Sequence, residues 1–232
     1  MIVENTVIPV QNTTLDKTKA DVFFDNFPKD KVVKYKEYWE SVRPQNVEDI
    51  FRRYLFSFMS VHTTWESNVK GYLAVKDFND WIDDKELLLH KIKESGVGLH
   101  NNRTEYIWYF KDRFWANPKE FYFTSKKYHV KKRDSIVSKI KGISWAKISF
   151  SLEQIHPLDC RVLCLDIHML RLYGMENLKY KTGAGLKEYK KAERHWIVNC
   201  GRLKVPSYIA RSIYWDQLQN QEDSRYWSWV FE

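Results

Sequence analysis

Apolar residues recur along most of the chain at intervals of three and four, which is the period of one face of an α-helix. Strict alternation of apolar and polar residues, which is typical of strands, is rare, and glycine (8) and proline (6) are scarce. The pattern predicts an all-α protein with a loose leader at residues 1–28 and a loop at residues 181–185. Helices are predicted at residues 29–42, 46–61, 64–75, 82–94, 102–115, 118–123, 133–140, 145–155, 167–174, 186–200, 206–219 and 222–231.

A short connector that contains a glycine joins two of these helices. The stretch KIKGISWAKISFSL (139–152) lies across it, with apolar residues at helical spacing before and after Gly142. Gly142 is predicted to adopt the left-handed backbone that commonly ends a helix. The connector is either an ordinary helical hairpin or one whose backbone amides bind a phosphate at the start of the next helix. Lys147, just inside that helix, is correspondingly a surface charge, a phosphate contact or a nucleophile.

Composition indicates a folded protein and favours a polyanionic partner. The 232 residues include 44% apolar and 16% aromatic residues, which is enough for a sizeable core. The net charge is +8 and the sequence pI is about 9.2, so the electrostatic field of the protein attracts polyanions. Many basic proteins bind no nucleic acid, so the charge alone does not assign a function.

The cysteine content restricts the cofactors that the chain could hold. Cys160, Cys164 and Cys200 fit a reducing compartment and cannot supply a four-cysteine zinc or iron–sulfur site. We therefore expect no cofactor and no metal. The N-terminal residues are too polar for a signal peptide, and no window is apolar enough to cross a membrane, so we expect a cytoplasmic protein.

Basic residues are concentrated next to the glycine-containing connector. The run KKYHVKKRDSIVSKIK (126–141) has seven basic residues and one aspartate, and a second basic stretch lies at residues 187–195. Runs of this kind are usually solvated helix faces. Because the first run leads directly into the connector, we also predict that Lys131, Lys132 and Lys141 contact a polyanion.

Three segments of the chain carry a resemblance to a known family. CLDIH (164–168) follows the connector, YLFSFMSVHTTWESNVKGYLAV (54–75) precedes it, and GLHNNRTEYIWYFKDRF (98–114) lies between. Their order and spacing resemble the helix–hairpin–helix DNA glycosylase superfamily (HhH-GPD), in particular its small members without the iron–sulfur cluster motif. Gly142 matches the first glycine of the family's hairpin, and the CLDIH run with Arg171 matches the family's VDTHV.R run.

The resemblance implies a fold and an activity. It implies an all-α fold of two lobes with a cleft between them. The central lobe is expected at residues 50–160, including the hairpin at 133–155, and the second lobe at 29–48 plus 161–232. The implied activity is that of a monomeric DNA N-glycosylase that removes a damaged, mispaired or modified base from double-stranded DNA. Such a protein would be cytoplasmic, or nucleoid-associated in a prokaryote.

Two residues receive functional roles from this resemblance. Asp166 would stabilise the positive charge that develops on the sugar, or orient the attacking water, besides capping the following helix. Without the resemblance, a helix cap alone would be the simpler role for this aspartate. His62 falls on the position whose side chain fills the gap left by the flipped base, and its alternative role is that of a partly buried core histidine.

Departures from the family pattern leave the mechanism open. Ser144 replaces the second hairpin glycine, which would weaken the backbone clamp on phosphate. Counting from Gly142 puts Ala146 where bifunctional members have a catalytic lysine, whereas counting back from Asp166 puts Lys147 there. One residue is about 100° on a helix, so only one of these registers fits. We favour the first register, which predicts a monofunctional glycosylase with Asp166 activating water and Lys147 near phosphate.

Three alternatives to this prediction follow from the same residues. If Lys147 faces the cleft, the enzyme would be a bifunctional glycosylase and AP lyase whose amine is made reactive by desolvation. A non-catalytic DNA-binding module and a base-modifying enzyme on the same scaffold are the others, although the chain has no glycine-rich cradle for a small-molecule donor. The C-terminal tryptophans are predicted to pack a core rather than to line a pocket; these are Trp196, Trp215, Trp227 and Trp229.

Overall fold

The computed structural model describes residues 18–180, 183–219 and Val230. Within these residues there are eleven α-helices and no strand, which confirms the predicted all-α fold. None of the described helices is long and apolar enough to cross a membrane. The helices are α1 (Lys19–Asp25), α2 (Val32–Ser41), α3 (Val47–Met59), α4 (Trp65–Val75), α5 (Lys85–Glu94), α6 (His100–Ala116), α7 (His129–Val137), α8 (Trp145–Ile155), α9 (Ile167–Leu172), α10 (Gly183–Leu203) and α11 (Ser207–Gln219).

Most predicted helices are present in the structure, and α8 has both of its predicted ends. Some predictions differ in extent from the structure. Residues 118–123 form only a 3₁₀ turn at Pro118–Glu120, after which the rings of Phe121 and Phe123 are buried. The predicted loop at 181–185 overlaps α10, which begins at Gly183, and residues 181 and 182 lie outside the described residues.

Part of the predicted leader is a helix that packs in the core. Residues 1–17 lie outside the described residues, but α1 follows directly on Thr18, whose hydroxyl accepts a hydrogen bond from the Asp21 N–H at 3.2 Å. The ring of Phe23 stacks on Trp196 with centroids 5.5 Å apart. The prediction of a loose leader was therefore wrong from residue 19 onward, because a helix of seven residues is too short to reveal its period in the sequence.

Buried side chains form two clusters, and the first has α3 at its centre. This cluster draws on residues 50–164 and Val230, and α3 packs in it against α4, α6 and α8. Aromatic rings fill it: Phe51 stacks on Phe110 at 5.8 Å, and the Tyr54 hydroxyl donates to the Phe121 carbonyl at 2.6 Å. The Ser151 hydroxyl of α8 donates to the Ser57 hydroxyl of α3 at 2.7 Å, which joins these two helices inside the cluster.

The second cluster draws on residues 20–39 and 163–213, with Trp196 fully buried inside it. The indole of Trp196 donates to the Ser207 carbonyl at 3.3 Å, which ties α10 to α11. Trp39 packs on Tyr208 with ring centroids 4.6 Å apart, so α2 is fixed to α11 as well.

The two clusters share an extended segment that leads to α9. Successive residues of an extended chain point to opposite sides. Val162 and Cys164 accordingly belong to the first cluster, whereas Leu163 and Leu165 belong to the second. The segment is therefore buried from both sides, and it delivers Asp166 to the junction of the clusters.

A buried ion pair also connects the two clusters. Arg133 of α7 donates to both carboxylate oxygens of Glu193 of α10 at 2.9 and 2.8 Å, and to the Ser149 hydroxyl at 2.7 Å. Glu193 in turn accepts a hydrogen bond from the Leu163 N–H at 2.9 Å. Bidentate pairing and further hydrogen bonds are the conditions under which a buried ion pair is tolerated. The pair fixes α7 and the extended segment relative to α10.

Candidate active site

A pocket of about 120 Å³ lies at the junction of the two clusters. Its walls come from the turn between α3 and α4, from α4 and α8, from residues 164–166 and from α11. The lining residues are Ser60, Thr63, Thr64, Trp65, Asn68, Lys147, Phe150, Cys164, Asp166, Arg211 and Trp215. Both residues that the sequence proposed for catalysis, Asp166 and Lys147, line this one pocket.

Asp166 is the N-cap of α9. Its Oδ1 accepts hydrogen bonds from the backbone N–H groups of His168 and Met169, each at 3.0 Å. Its Oδ2 lies 3.8 Å from Nη1 of Arg211. One carboxylate oxygen therefore fixes the side chain by capping the helix, and the other lies beside a cation at the pocket wall.

Lys147 lies in the first turn of α8 and is half-buried. Desolvation lowers the pKa of its amine below the usual value, and the charges of Arg211 and Arg103 lower it as well. The neighbouring Cys164 and Asp166 act in the opposite direction. The Nζ atom lies 5.5 Å from the centroid of the Phe150 ring. An amine in this setting is more easily unprotonated near neutral pH than a surface lysine.

The register favoured from the sequence does not agree with this placement. Ala146 is buried in the first cluster with 4% of its surface exposed, and it is absent from the pocket lining, whereas Lys147 is part of it. Helical phase could not decide between the registers, because α8 is buried on nearly every side, including its polar residues Ser149 and Glu153. An apolar stripe identifies one face only when the other faces are polar.

Sequence reasoning missed a buried ion pair next to the two candidates. Nη2 of Arg211 lies 2.8 Å from Oε2 of Glu153, and Oε1 of Glu153 accepts the Cys164 N–H at 3.1 Å. Burial raises the pKa of Glu153 to about 7, although Arg211 and the hydrogen bonds oppose this shift. A signal was present in the sequence, since single charges interrupt the apolar runs SFSLEQI and YIARSIY.

His62 lies in the turn between α3 and α4 and is exposed, so it is not a core histidine. Its φ of +52° is in the left-handed region, which a residue other than glycine rarely adopts. The guanidinium of Arg103 holds this turn by donating to the carbonyls of Phe58, Val61 and Gly98. The exposed imidazole is thus presented by a rigid turn at the edge of the pocket.

Gly142 has the predicted left-handed backbone, with φ of +86°, but it lies in the hairpin turn rather than directly after α7. A Cβ at this position would lie 2.1 Å from Cδ2 of Tyr106, so only glycine fits. Ser144 is the exposed N-cap of α8, and its side chain makes no capping hydrogen bond. The Nζ of Lys141 lies 4.8 Å from the Tyr109 ring centroid.

The basic run does not form one continuous cationic face. Lys131 is exposed, but Nζ of Lys132 donates to the Lys119 carbonyl at 3.0 Å and Arg133 is buried in its ion pair. Lys139 pairs with a glutamate at 2.9 Å. The helix predicted at 133–140 is α7 in the structure, which begins earlier, at His129, and its helical period distributes these charges around the helix.

The tryptophans divide between core and pocket. Trp196 is buried as predicted, whereas Trp215 lines the pocket, so the prediction of a purely core role was wrong for this residue. Trp227 and Trp229 lie outside the described residues, as does the predicted helix at 222–231 apart from Val230. Among the described residues, no group of three histidine, cysteine, aspartate or glutamate side chains is arranged to hold a metal ion.

Solved structures of similar fold are 8-oxoguanine DNA glycosylases. The 8-oxoguanine DNA glycosylase of Methanocaldococcus jannaschii superposes with a TM-score of 0.66 at 21% identity, over 88% of this chain and 93% of that chain. The 8-oxoguanine DNA glycosylase of Thermotoga maritima gives a TM-score of 0.64 at 19% identity, over 87% and 96% of the two chains. The Methanocaldococcus jannaschii 8-oxoguanine glycosylase/lyase, in complex with 15mer DNA containing 8-oxoguanine, gives 0.62 at 21% identity, over 88% and 96%.

Sequence comparison identifies the family. No curated protein is significantly similar to the chain. A family model described as 8-oxoguanine DNA glycosylase matches residues 29–205, which include α2 through α10 and every catalytic candidate. The structural similarity to the solved 8-oxoguanine DNA glycosylases agrees with this match. The chain therefore belongs to the 8-oxoguanine DNA glycosylase family and is a DNA N-glycosylase of base excision.

Proposed function

We propose that this enzyme excises 8-oxoguanine from double-stranded DNA and then cleaves the strand, with Lys147 as nucleophile and Asp166 as the assisting carboxylate. The proposal rests on one observation above all: Lys147 and Asp166 line the same pocket, and burial there lowers the pKa of the lysine. The choice of base follows the description of the family and the names of the solved relatives.

The reaction begins with an unprotonated amine, which desolvation favours. The Nζ lone pair of Lys147 forms a bond to C1′ of the flipped nucleotide, and the base leaves with the electrons of the glycosidic bond and takes a proton. The amine then loses one proton, the sugar ring opens with a proton going to O4′, and a protonated Schiff base remains. Removal of a C2′ proton expels the 3′ phosphate by β-elimination.

Asp166 is suited to stabilise the positive charge that develops on the sugar. Its Oδ1 is held by the backbone N–H groups of His168 and Met169, so the carboxylate needs no reorganisation when the charge appears. Its Oδ2 remains on the pocket side, next to Arg211.

The DNA surface consists of the turns around the pocket. The exposed His62 fills the gap that the flipped base leaves in the stack, and the base enters the pocket that Trp65 and Phe150 help to line. The hairpin binds backbone phosphate through Gly142 and Ser144. Lys141 and the basic residues Lys131 and Lys132 add electrostatic attraction.

Borohydride trapping tests the lysine assignment. A duplex with a single 8-oxoguanine is incubated with the enzyme and sodium borohydride, which reduces a Schiff base to a stable amine. We expect a covalent protein–DNA adduct and a nicked strand for the wild type, loss of both for Lys147→Ala, and retention of both for the matched control Lys93→Ala on the exposed side of α5.

Other outcomes separate the parts of the proposal. Base release without an adduct, leaving intact DNA with an abasic site, would refute the lyase assignment and support a monofunctional enzyme with Asp166 activating water. An adduct that survives Lys147→Ala would assign the nucleophile to another amine. If the enzyme releases another altered base from DNA but not 8-oxoguanine, the assignment of 8-oxoguanine as the substrate would be refuted.

A further inference from the structure

Two polar groups in the pocket have no hydrogen-bond partner within the described part of the chain. They are Oδ1 of Asn68 and Nε1 of Trp215, and both atoms are buried. Asn68 as a whole is 4% exposed, and both residues line the pocket. Buried polar groups in proteins nearly always have a hydrogen-bond partner. Two such atoms without a partner in a pocket therefore indicate a ligand that supplies the missing hydrogen bonds.

The two groups have opposite hydrogen-bonding character. A carboxamide oxygen only accepts, and an indole N–H only donates. The ligand that satisfies both must offer one donor and one acceptor. The backbone of Asn68 and the ring of Trp215 are also held in place by the protein. The backbone N–H of Asn68 donates to the Thr64 carbonyl at 3.0 Å within the first turn of α4, and Trp215 packs edge-on against His168 at 4.8 Å.

The base named under the proposed function has such a pair of groups on one edge. In 8-oxoguanine, N7 carries a hydrogen and C8 carries a carbonyl oxygen, so a donor and an acceptor are adjacent. In guanine, N7 is an acceptor and C8 carries only a hydrogen. A guanine N7 placed at the same point would bring a lone pair against the amide oxygen, and the indole N–H would stay without a partner.

We propose that Asn68 and Trp215 determine base specificity, with Oδ1 of Asn68 accepting the N7–H of 8-oxoguanine and Nε1–H of Trp215 donating to its C8 carbonyl. This inference rests on the proposed 8-oxoguanine substrate but not on the identity of the nucleophile. A site that hydrogen-bonds a group of its substrate discriminates strongly against an analogue without that group, because the buried partners are then left unpaired.

Affinity for uncleavable duplexes tests this assignment. Each duplex carries one 2′-fluoro nucleotide, which resists glycosidic cleavage, with 8-oxoguanine, guanine or 8-bromoguanine as the base. We expect the wild type to prefer 8-oxoguanine and to bind 8-bromoguanine as weakly as guanine, since bromine adds bulk at C8 but supplies neither the N7 hydrogen nor the carbonyl. The preference should fall about 10- to 100-fold in Asn68→Leu and in Trp215→Phe.

Further variants separate the hydrogen bond from packing. Asn68→Asp keeps an acceptor and should retain more of the preference than Asn68→Leu, and the exposed Asn79→Leu serves as the matched control. Cleavage of a preformed abasic site, which contains no base, gives the reference activity of each variant. Tight binding of 8-bromoguanine, or an unchanged preference in Asn68→Leu, would overturn the inference. A wild type that neither prefers nor excises 8-oxoguanine would instead refute the proposed substrate.

Discussion

Arg211 and Glu153 form an ion pair of 2.8 Å in the wall of the candidate active site, and both side chains are buried. The same guanidinium lies 3.8 Å from Asp166, so Glu153 is its closer partner. Arg211 is therefore oriented mainly by a residue that does not line the pocket. The charge state of Glu153 consequently affects both the stability of the fold and the electrostatics around Asp166 and Lys147.

We predict that Glu153 makes stability depend on pH. Burial raises the pKa of Glu153 to about 7, above the ordinary value of 4.5 that applies to the unfolded chain. Between these values the unfolded state releases a proton that the folded state retains, so stability is lost as pH rises from 4.5 to 7. Glu153→Gln removes this dependence. The free energy of unfolding of the variant minus that of the wild type should rise by about 3 kcal/mol over this interval.

Denaturant unfolding of both proteins between pH 4.5 and 8 measures this difference. Near pH 4.5 the Glu153 side chain of the folded wild type is protonated and neutral, as glutamine is, so the two proteins should have similar stability there. Only the slope of the difference with pH tests the prediction. A difference that stays flat or falls as pH rises would mean that the ion pair with Arg211 outweighs burial and prevents a raised pKa of Glu153.

We predict that the charge of Arg211 helps to keep the Lys147 amine unprotonated. Desolvation is the main cause of the lowered pKa of Lys147, and Arg211 and Arg103 contribute, whereas Asp166 opposes them. The double variant Arg211→Met with Glu153→Gln removes the ion pair without leaving a buried charge alone. In this variant the pKa of Lys147 should rise, so the rate of borohydride trapping should reach its plateau at a higher pH than in the wild type.

Single-turnover borohydride trapping over a range of pH gives the pH midpoint of the trapping rate for the wild type and for the double variant. A purely structural role for the ion pair would lower the rate at every pH and leave the midpoint in place. A midpoint that moves to lower pH in the double variant would contradict the electrostatic role of Arg211.

The fold was largely accessible from the sequence because its helices have clear periods and clear ends. α8 was predicted at both ends, with Ser144 before it and His156 after it. α1 was missed because its apolar residues, of which Phe23 is one, are too few to establish a period. The sequence pattern within α1 is local, whereas the core that makes α1 stable is formed by residues distant in the sequence, such as Trp196.

The candidate site was only partly accessible from the sequence. Asp166 was identified through its motif, but the direction of Lys147 depends on a rotation of α8 that burial on nearly all faces concealed. Asn68 was not considered at all, since an asparagine in a helix gives no sign of whether it meets solvent or a pocket. Its significance depends on its burial and on an oxygen left without a partner among the described residues, and both are properties of the folded chain.

We predict that Asp166→Asn strongly slows base release without unfolding the site. Asparagine is as good an N-cap as aspartate, so α9 should remain capped at His168 and Met169. The negative charge is lost, and base release from 8-oxoguanine duplexes should fall by about two to three orders of magnitude while DNA affinity persists. Single-turnover excision and binding to an uncleavable duplex measure the two properties. Near-full activity in a folded variant would remove Asp166 from the catalytic mechanism.

Two adjacent lysines of α7 should differ in their contribution to DNA binding. Lys131 is exposed, whereas Lys132 donates to the Lys119 carbonyl at 3.0 Å and burial lowers its pKa. Reversing Lys131 to Glu should reduce the log–log slope of affinity against salt by roughly 0.9 if this residue neutralises one phosphate. Lys132→Glu should change the slope less and lower the free energy of unfolding more, because it breaks the hydrogen bond from Lys132 to the Lys119 carbonyl.

Lys93→Glu on α5 carries the same change of charge and serves as the control for long-range attraction. Equal slopes for all three variants would show that the basic run acts only through net charge and makes no specific contact with the DNA backbone.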